Sequence, residues 1–302
     1  MDSEGKNAFP QVVEDDLERT VRLEHRPLRI VSMTPSHTEV LFAIGAGNQI
    51  VGVTTYCNFP PEAEQCDKIG GFSEKSISLE KIVALKPDLV LASSEAQRSL
   101  VSRIEQFDIP ICAVDATSID DVYRIIDLIG RLADRQIEAE RLVTSMQSRV
   151  TAVESRAKQV PEAERVDVFY QVWDKPLMTA SKQSVIGEMI ERSCATNLFA
   201  DSQKAYPIVS EEALLETNPH VILVTSHGDD ERERAELLER PGFKNFDAVK
   251  SNRIHFLEED IVSRFSPRLA DGLEATARAI YPSHFPDNWG AEAAGSAKDE
   301  CE

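Results

Sequence analysis

Ser36, His37 and Glu39 fall close together in "MTPSHTEVLFAIGAG", where one apolar run stops and the next begins. A hydroxyl, an imidazole and a carboxylate at this spacing can be a catalytic cluster, a metal site, or the corner between a strand and a helix. A serine hydrolase needs its nucleophile in a G-x-S-x-G turn, and "TPSHT" has neither glycine. A zinc site needs partner ligands at set spacings, and His25, His37, His220, His227, His255 and His284 form no H-E-x-x-H pair. The S-x-x-E spacing is that of a capping box, in which Ser36 caps a helix and Glu39 reaches back to its amide. His37 then lies in the first helical turn at a strand's carboxyl end, where open α/β sheets place their ligands. From there it either faces solvent or ligates the metal of a bound chelate. "GAGNQIVG" follows a helix instead of opening one, so it reads as a turn and not a phosphate loop. No nucleophile–base or paired-carboxylate constellation assembles, so the chain is expected not to be an enzyme.

These residues need a framework to hold them, and short β-rich runs alternating with helical patterns supply one. Strands are expected at 29–33, 50–54, 88–92 and 111–114, and again at 166–172, 220–224 and 253–257, with an edge hairpin over 12–24. Alternation of this kind predicts parallel sheets covered by helices. Apolar residues at helical spacing from Val122 to Leu132, and from Leu142 to Val153, predict one helix and then a longer one, broken near residue 134. "SLEKIVALKPDLVLASS" (78–94) recurs as "SEEALLETNPHVILVTS" (210–226), and "EVLFAIGAGN" (39–48) is echoed by "EMIERSCATN" (188–197). Two echoes in one order on either side of the long helix predict a duplicated α/β lobe. The expected organisation is a disordered 1–11, an amino lobe over 12–134, a connecting helix over 135–158, a carboxyl lobe over 159–285 and a disordered tail over 286–302.

The charge balance limits the partners. Fifty-two acidic against 33 basic residues give a net charge of -19. Such a surface repels phosphate backbones and anionic lipid, so no nucleic-acid partner is expected. No apolar run reaches the roughly 20 residues of a membrane span. "MDSEGKNAFPQVVEDD" has neither a basic start nor an apolar core, so no signal peptide is expected within this chain, and a cytoplasmic setting stays open. The five cysteines form no C-x-x-C pair. Cys57 and Cys66 flank a Pro-Pro loop and would pair only in an oxidising compartment; buried free thiols are the other reading.

"RIVSMTPSHTEVLFAIGAGNQIVGVTTYCNFPPEA", "KIGGFSEKSISLEKIVALKPDLVLA", "VFYQVWDKPLMTA", "AYPIVSEEALLETNPHVILV" and "EEDIVSRFSPR" together resemble the substrate-binding proteins of cobalamin and iron-siderophore ABC importers. The resemblance covers roughly residues 15 to 281. It implies two Rossmann-like lobes with parallel sheets, joined by a single long rigid α-helix, with a ligand cleft between them. It implies a periplasmic or otherwise extracytoplasmic monomer with no intrinsic cofactor. The transported ligand would be cobalamin or a related metal chelate, such as a ferric siderophore or haem. By position, Pro35, Tyr56 and Phe72 would line the amino side of the cleft, and Trp173, Tyr206, Asp260 and Arg264 the carboxyl side. Asp260 and Arg264 also have the spacing to pair with each other. Phe72 stands where cobalamin-binding members carry tryptophan, and Ser93 replaces another aromatic. Glu80 and Glu212 would dock the acidic lobe tips onto paired arginines of a permease dimer. The competing class is a cytoplasmic corrinoid- or chelate-binding enzyme or sensor on the same fold.

Overall fold

The computed structural model describes residues 9–286 and Trp289. The chain divides into two compact units. The first runs to Met146, with Phe265–Pro267 grouped into it; the second holds the rest.

The first unit begins with the expected hairpin, β1 (Gln11–Glu14) and β2 (Thr20–Leu23), antiparallel to each other. Its parallel sheet contains β3 (Ile30–Ser32), β4 (Ile50–Val53), β5 (Asp67–Lys68), β6 (Leu89–Ala92) and β7 (Ile111–Ala113), ordered β5-β4-β3-β6-β7. The helices are α1 (Pro35–Ala43), α2 (Leu79–Ala84), α3 (Arg98–Glu105) and α4 (Ile119–Leu132). All three residues of β3 and all four of β6 are buried. Central parallel strands covered on both faces read as unbroken apolar runs for this reason. In α4 the helical-period positions Val122, Ile125, Ile126, Ile129 and Leu132 are all buried, as their spacing requires. Asp134 then takes φ +59 and ends the segment, which is the break expected near that residue. The long helix α5 (Gln136–Ala157) follows, and the division between the units falls within it.

The second unit repeats the scheme with a four-stranded sheet, ordered β11-β10-β8-β9 and parallel throughout. Its strands are β8 (Asp167–Gln171), β9 (Thr196–Asn197), β10 (Val221–Ser226) and β11 (Ile254–Glu258). Its helices are α6 (Val185–Arg192), α7 (Glu211–Leu215), α8 (Asp230–Glu239), α9 (Asp247–Lys250), α10 (Glu259–Val262) and α11 (Leu269–Ile280). Two α/β lobes with parallel sheets are the expected fold class. The two-residue edge strands β5 and β9 were missed, being too short to carry a pattern.

The echoes are structural as well as sequential. Ser78 and Ser210 each cap the helix that follows, accepting from the amides of Lys81 and Ala213. After α1, Gly45 takes φ +73 and the Ala46 amide donates to the Leu41 carbonyl at 2.8 Å. After α6, Cys194 takes φ +56 and the Ala195 amide donates to the Ile190 carbonyl at 3.3 Å. One left-handed residue and one back-bond close both helices, the common way to satisfy terminal carbonyls.

Expected disorder over 1–11 and 286–302 falls mainly outside the described residues. Within them, Gln11 already belongs to β1, and Trp289 is buried, edge-on to Phe285 at 5.1 Å between ring centroids.

The hairpin covers the exposed edge of β7, and Asp15 fastens it there. Its buried carboxylate accepts from the amides of Leu17 (3.0 Å), Arg19 (3.1 Å) and Ala113 (3.1 Å) and from the Arg19 guanidinium. Burial pushes its pKa up, but the guanidinium and amide donors outweigh burial and hold it below the usual carboxylate value. A lowered folded pKa means stability is present above the unfolded value near 3.9 and is lost as pH falls through the folded one. Asp15→Ala should therefore cost about 2 kcal/mol at pH 7 by leaving buried donors unpaired. The wild-type advantage should shrink below about pH 4. Urea unfolding of both proteins at pH 7 and pH 3 checks this; an equal gap at the two pH values would refute it.

Candidate binding rims

At the opening corner the helix starts two residues earlier than the capping box requires. Thr34, extended at φ −135 and ψ 145, is the cap, and its hydroxyl accepts from the His37 amide at 3.2 Å. Pro35 takes the first helical position, where its missing N–H costs nothing. Ser36 is therefore inside the helix and Glu39 is buried, so the expected box is corrected to a Thr-Pro start.

His37 does not face solvent either. It is 2% exposed, its Nδ1 has no partner among the described residues, and burial pushes its pKa down to about 4. Asp115, a backbone hydrogen bond at Val114 and Asp16 oppose that shift without reversing it. The ring is thus neutral near pH 7 and packed inside the unit, which corrects the solvent-facing position expected for it.

Above this corner the sheet's carboxyl edge carries the amino-side candidates. Half-buried Pro35 follows β3, Tyr56 follows β4 at 58% exposure, and Phe72 follows β5 at 37%. Gly71 lies beside the Tyr56 ring, so Tyr56 and Phe72 share one stretch of rim. Gln97, fully buried and missed in the sequence, positions Phe72. Its Nε2 donates to the carbonyls of Met33 (2.8 Å) and Phe72 (3.0 Å), while its Oε1 accepts from the Ser93 amide (2.9 Å). Ser93 turns inward, and its hydroxyl donates to Asp115 at 2.9 Å.

The second unit assembles its own rim at the corresponding edge. Trp173, just past β8, is 50% exposed, and its Nε1 donates to the Lys175 carbonyl at 3.2 Å. Met178 bridges to both Trp173 and Ile208, and Thr179 and Ser181 donate to the carbonyls of Pro207 and Ala205. This ladder joins the segment that carries Tyr206, itself 37% exposed, to the segment that follows Trp173. His227, after β10, packs edge-on to Trp173 at 4.9 Å and lies 3.4 Å from the Glu259 carboxylate, joining the ring to the β11 end. Asp260 and Arg264 pair at 2.6 Å, with Arg268 3.9 Å from Asp260. Their four-residue spacing had already suggested that pair. His227 was missed because a lone histidine in a polar loop carries no sequence signal.

Cys57 and Cys66 are free thiols. Cys57 is buried, with its sulfur 3.2 Å from the hydroxyls of Thr38 and Thr54.

Each unit thus gathers large, exposed rings at the carboxyl edge of a parallel sheet, where broad ligands are bound in α/β folds. What the fold and these rims define is a two-lobed binding protein.

The chain belongs to the periplasmic binding protein family, whose model matches residues 30–261. It is 34% identical over 284 residues to the uncharacterized ABC transporter substrate-binding lipoprotein YvrC of Bacillus subtilis, covering 92% of this chain and 88% of that one. It is 32% identical over 207 residues to the vitamin B12-binding protein of Pectobacterium atrosepticum, covering 67% and 73%. Among solved structures it is similar to a possible iron-binding (periplasmic solute-binding) protein of Staphylococcus epidermidis. That match has a TM-score of 0.76 and 30% identity, covering 85% of this chain and all of that one. Among the described residues no helix is long and apolar enough to cross a membrane.

Proposed function

We propose that this chain is the substrate-binding protein of an ABC importer and carries a corrinoid to a permease outside the cytoplasmic membrane. It takes the ligand against Pro35, Tyr56 and Phe72 in one unit and Trp173, Tyr206, Asp260 and Arg264 in the other. The observation that carries the reading is the pair of rims, since Tyr56 and Trp173 are more than half and half exposed at matching sheet edges. A large ring left in water at a fixed position offers a flat chelate a broad apolar contact at little entropic cost. The ligand brings its own metal, and the protein contributes rings and a few fixed charges. The family relatives named for vitamin B12 support the corrinoid over other chelates, and the lipoprotein relative supports an extracytoplasmic setting. Docking falls to Glu80 and Glu212, which hold equivalent places in the two units.

Titration with cobalamin, cobinamide, haem and ferric siderophores, followed by visible absorbance and calorimetry, tests the reading. A corrinoid should bind most tightly. Trp173→Ala should weaken that binding roughly ten- to a hundredfold, the loss of about 1–3 kcal/mol of buried ring contact. Its circular dichroism should match wild type. Unchanged affinity in this variant removes Trp173 from the site, and preference for haem or a siderophore replaces the corrinoid.

A further inference from the structure

Beside Trp173 the second unit contains a cavity of about 180 Å³, walled by Gln171, Trp173, Thr225, His227, Glu233 and Glu236 among others. We infer that this cavity is a subsite for a primary carboxamide on the ligand's periphery. The inference rests on the binding reading above and adds to it the chemical class of the ligand's side arms.

Two acceptors in the cavity wall lack donors among the described residues. Gln171 closes β8 and is 4% exposed, yet its Oε1 has no hydrogen-bond partner. Glu233 accepts from the His227 amide through Oε1 at 3.0 Å, while its Oε2 is buried without a partner. Thr225 spends its hydroxyl proton on the Tyr170 oxygen at 3.1 Å and so offers the cavity lone pairs only. A buried acceptor without a donor is costly, and an occupant that donates to it recovers that cost.

The charges narrow the choice. Asp174, Glu233 and Glu236 stand against one guanidinium, Arg232, which already lies between Glu236 (3.6 Å) and Asp229 (4.0 Å). Asp174 is held by Arg240 at 2.5 Å. An incoming carboxylate would meet excess negative charge and could not donate. An apolar group would leave both acceptors orphaned. A primary carboxamide has two N–H donors for Gln171 Oε1 and Glu233 Oε2, and its carbonyl can accept from the Gln171 amide nitrogen. The volume suits such an arm and excludes a macrocycle. Corrinoids carry acetamide and propionamide arms, whereas haem carries propionates, so this subsite favours the former.

The test uses the full chain and two kinds of probe. In ¹H–¹⁵N spectra, with the Trp173 indole signal assigned through Trp173→Phe, propionamide should shift that signal saturably and propionate should not. Gln171→Leu should weaken the propionamide response about tenfold. Glu233→Gln should weaken it likewise and admit propionate. By calorimetry, dicyanocobinamide should bind at least tenfold more tightly than dicyanocobyrinic acid, whose arms are carboxylates, and both variants should narrow that ratio. The subsite is overturned if propionamide gives no shift up to its solubility limit, if propionate or ethylammonium shifts the signal as strongly, or if the corrinoid ratio is the same in both variants. A propionamide response without any corrinoid binding would sustain the subsite and overturn the corrinoid reading.

Discussion

Gly187→Ala is expected to lower the melting temperature of the second unit by about 5–10 °C, a loss of about 2–3 kcal/mol. Gly187 sits in the first turn of α6, and its amide donates to the cap hydroxyl of Ser184 at 3.0 Å. Ser184 in turn donates through that hydroxyl to the Ser181 carbonyl at 2.7 Å. This hook folds residues 181 and 182 directly onto the helix start. A Cβ at 187 would lie 2.5 Å from the Ser181 carbonyl carbon and 2.9 Å from the Lys182 Cα, and it would overlap the Ser181 oxygen. These are backbone atoms and cannot rotate away as a flexible side chain would. Alanine's better helix propensity returns less than about 1 kcal/mol, which the clash exceeds. Ser181 also donates to Ala205 beside Tyr206, so the variant should loosen the rim and weaken ligand binding. Calorimetric unfolding decides the matter. A melting temperature within about 1 °C of wild type would mean that the hook yields freely and the close approach has no structural consequence.

The hook illustrates what a sequence does and does not carry. Strand runs, proline stops and serine caps are local properties, and Ser78, Ser210, Pro87 and Pro219 were each readable where they stand. So was the duplication, because corresponding caps and turns repeat in order. The opening corner was harder because it offered two caps, Thr34 and Ser36. The preference of proline for the first helical position favoured Thr34, and the S-x-x-E spacing pointed the wrong way. His37 was not legible. Asp115 and Val114, which act on the buried ring, lie nearly eighty residues on, and only the sheet order brings them near. Of the positions missed, Gln97 acts through backbone contacts to Met33, Phe72 and the nearby Ser93, in loops that follow three different strands, and left no pattern. Gln171 left a faint one, as a single amide within the apolar run "VFYQV". The rings were named from a resemblance, and the physical reason they stand out is exposure, which a sequence does not state.

Reversing both Glu80 and Glu212 to arginine is expected to abolish uptake while leaving ligand affinity unchanged. Each residue lies in the first turn of a helix, two positions after its capping serine, and each is exposed. The Glu80 carboxylate is hydrogen-bonded to its own amide and to the Ser78 hydroxyl at 2.9 Å, and these hold its pKa below the usual glutamate value. Glu211, beside Glu212, is taken up by Arg240 at 2.5 Å, and Glu212 makes no ion pair among the described residues. A carboxylate at a helix amino end stabilises it by only about 0.3–1 kcal/mol, so neither reversal should unfold its unit. On the proposed reading, the duplicated lobes' equivalent carboxylates would meet arginines that a two-fold permease repeats by its symmetry. Two pairs that must form together lose far more than one when both signs are reversed, since attraction becomes repulsion at each end. Complex formation by the wild type should weaken as salt rises, because exposed pairs of this kind are screened over about 10 Å at 0.1 M. The single reversals should each slow association, and the double should eliminate it. Transport by vesicles carrying the permease and charged with labelled corrinoid measures the outcome. Wild-type rates in the double variant would reduce both glutamates to helix caps and return the docking surface to some other part of the molecule.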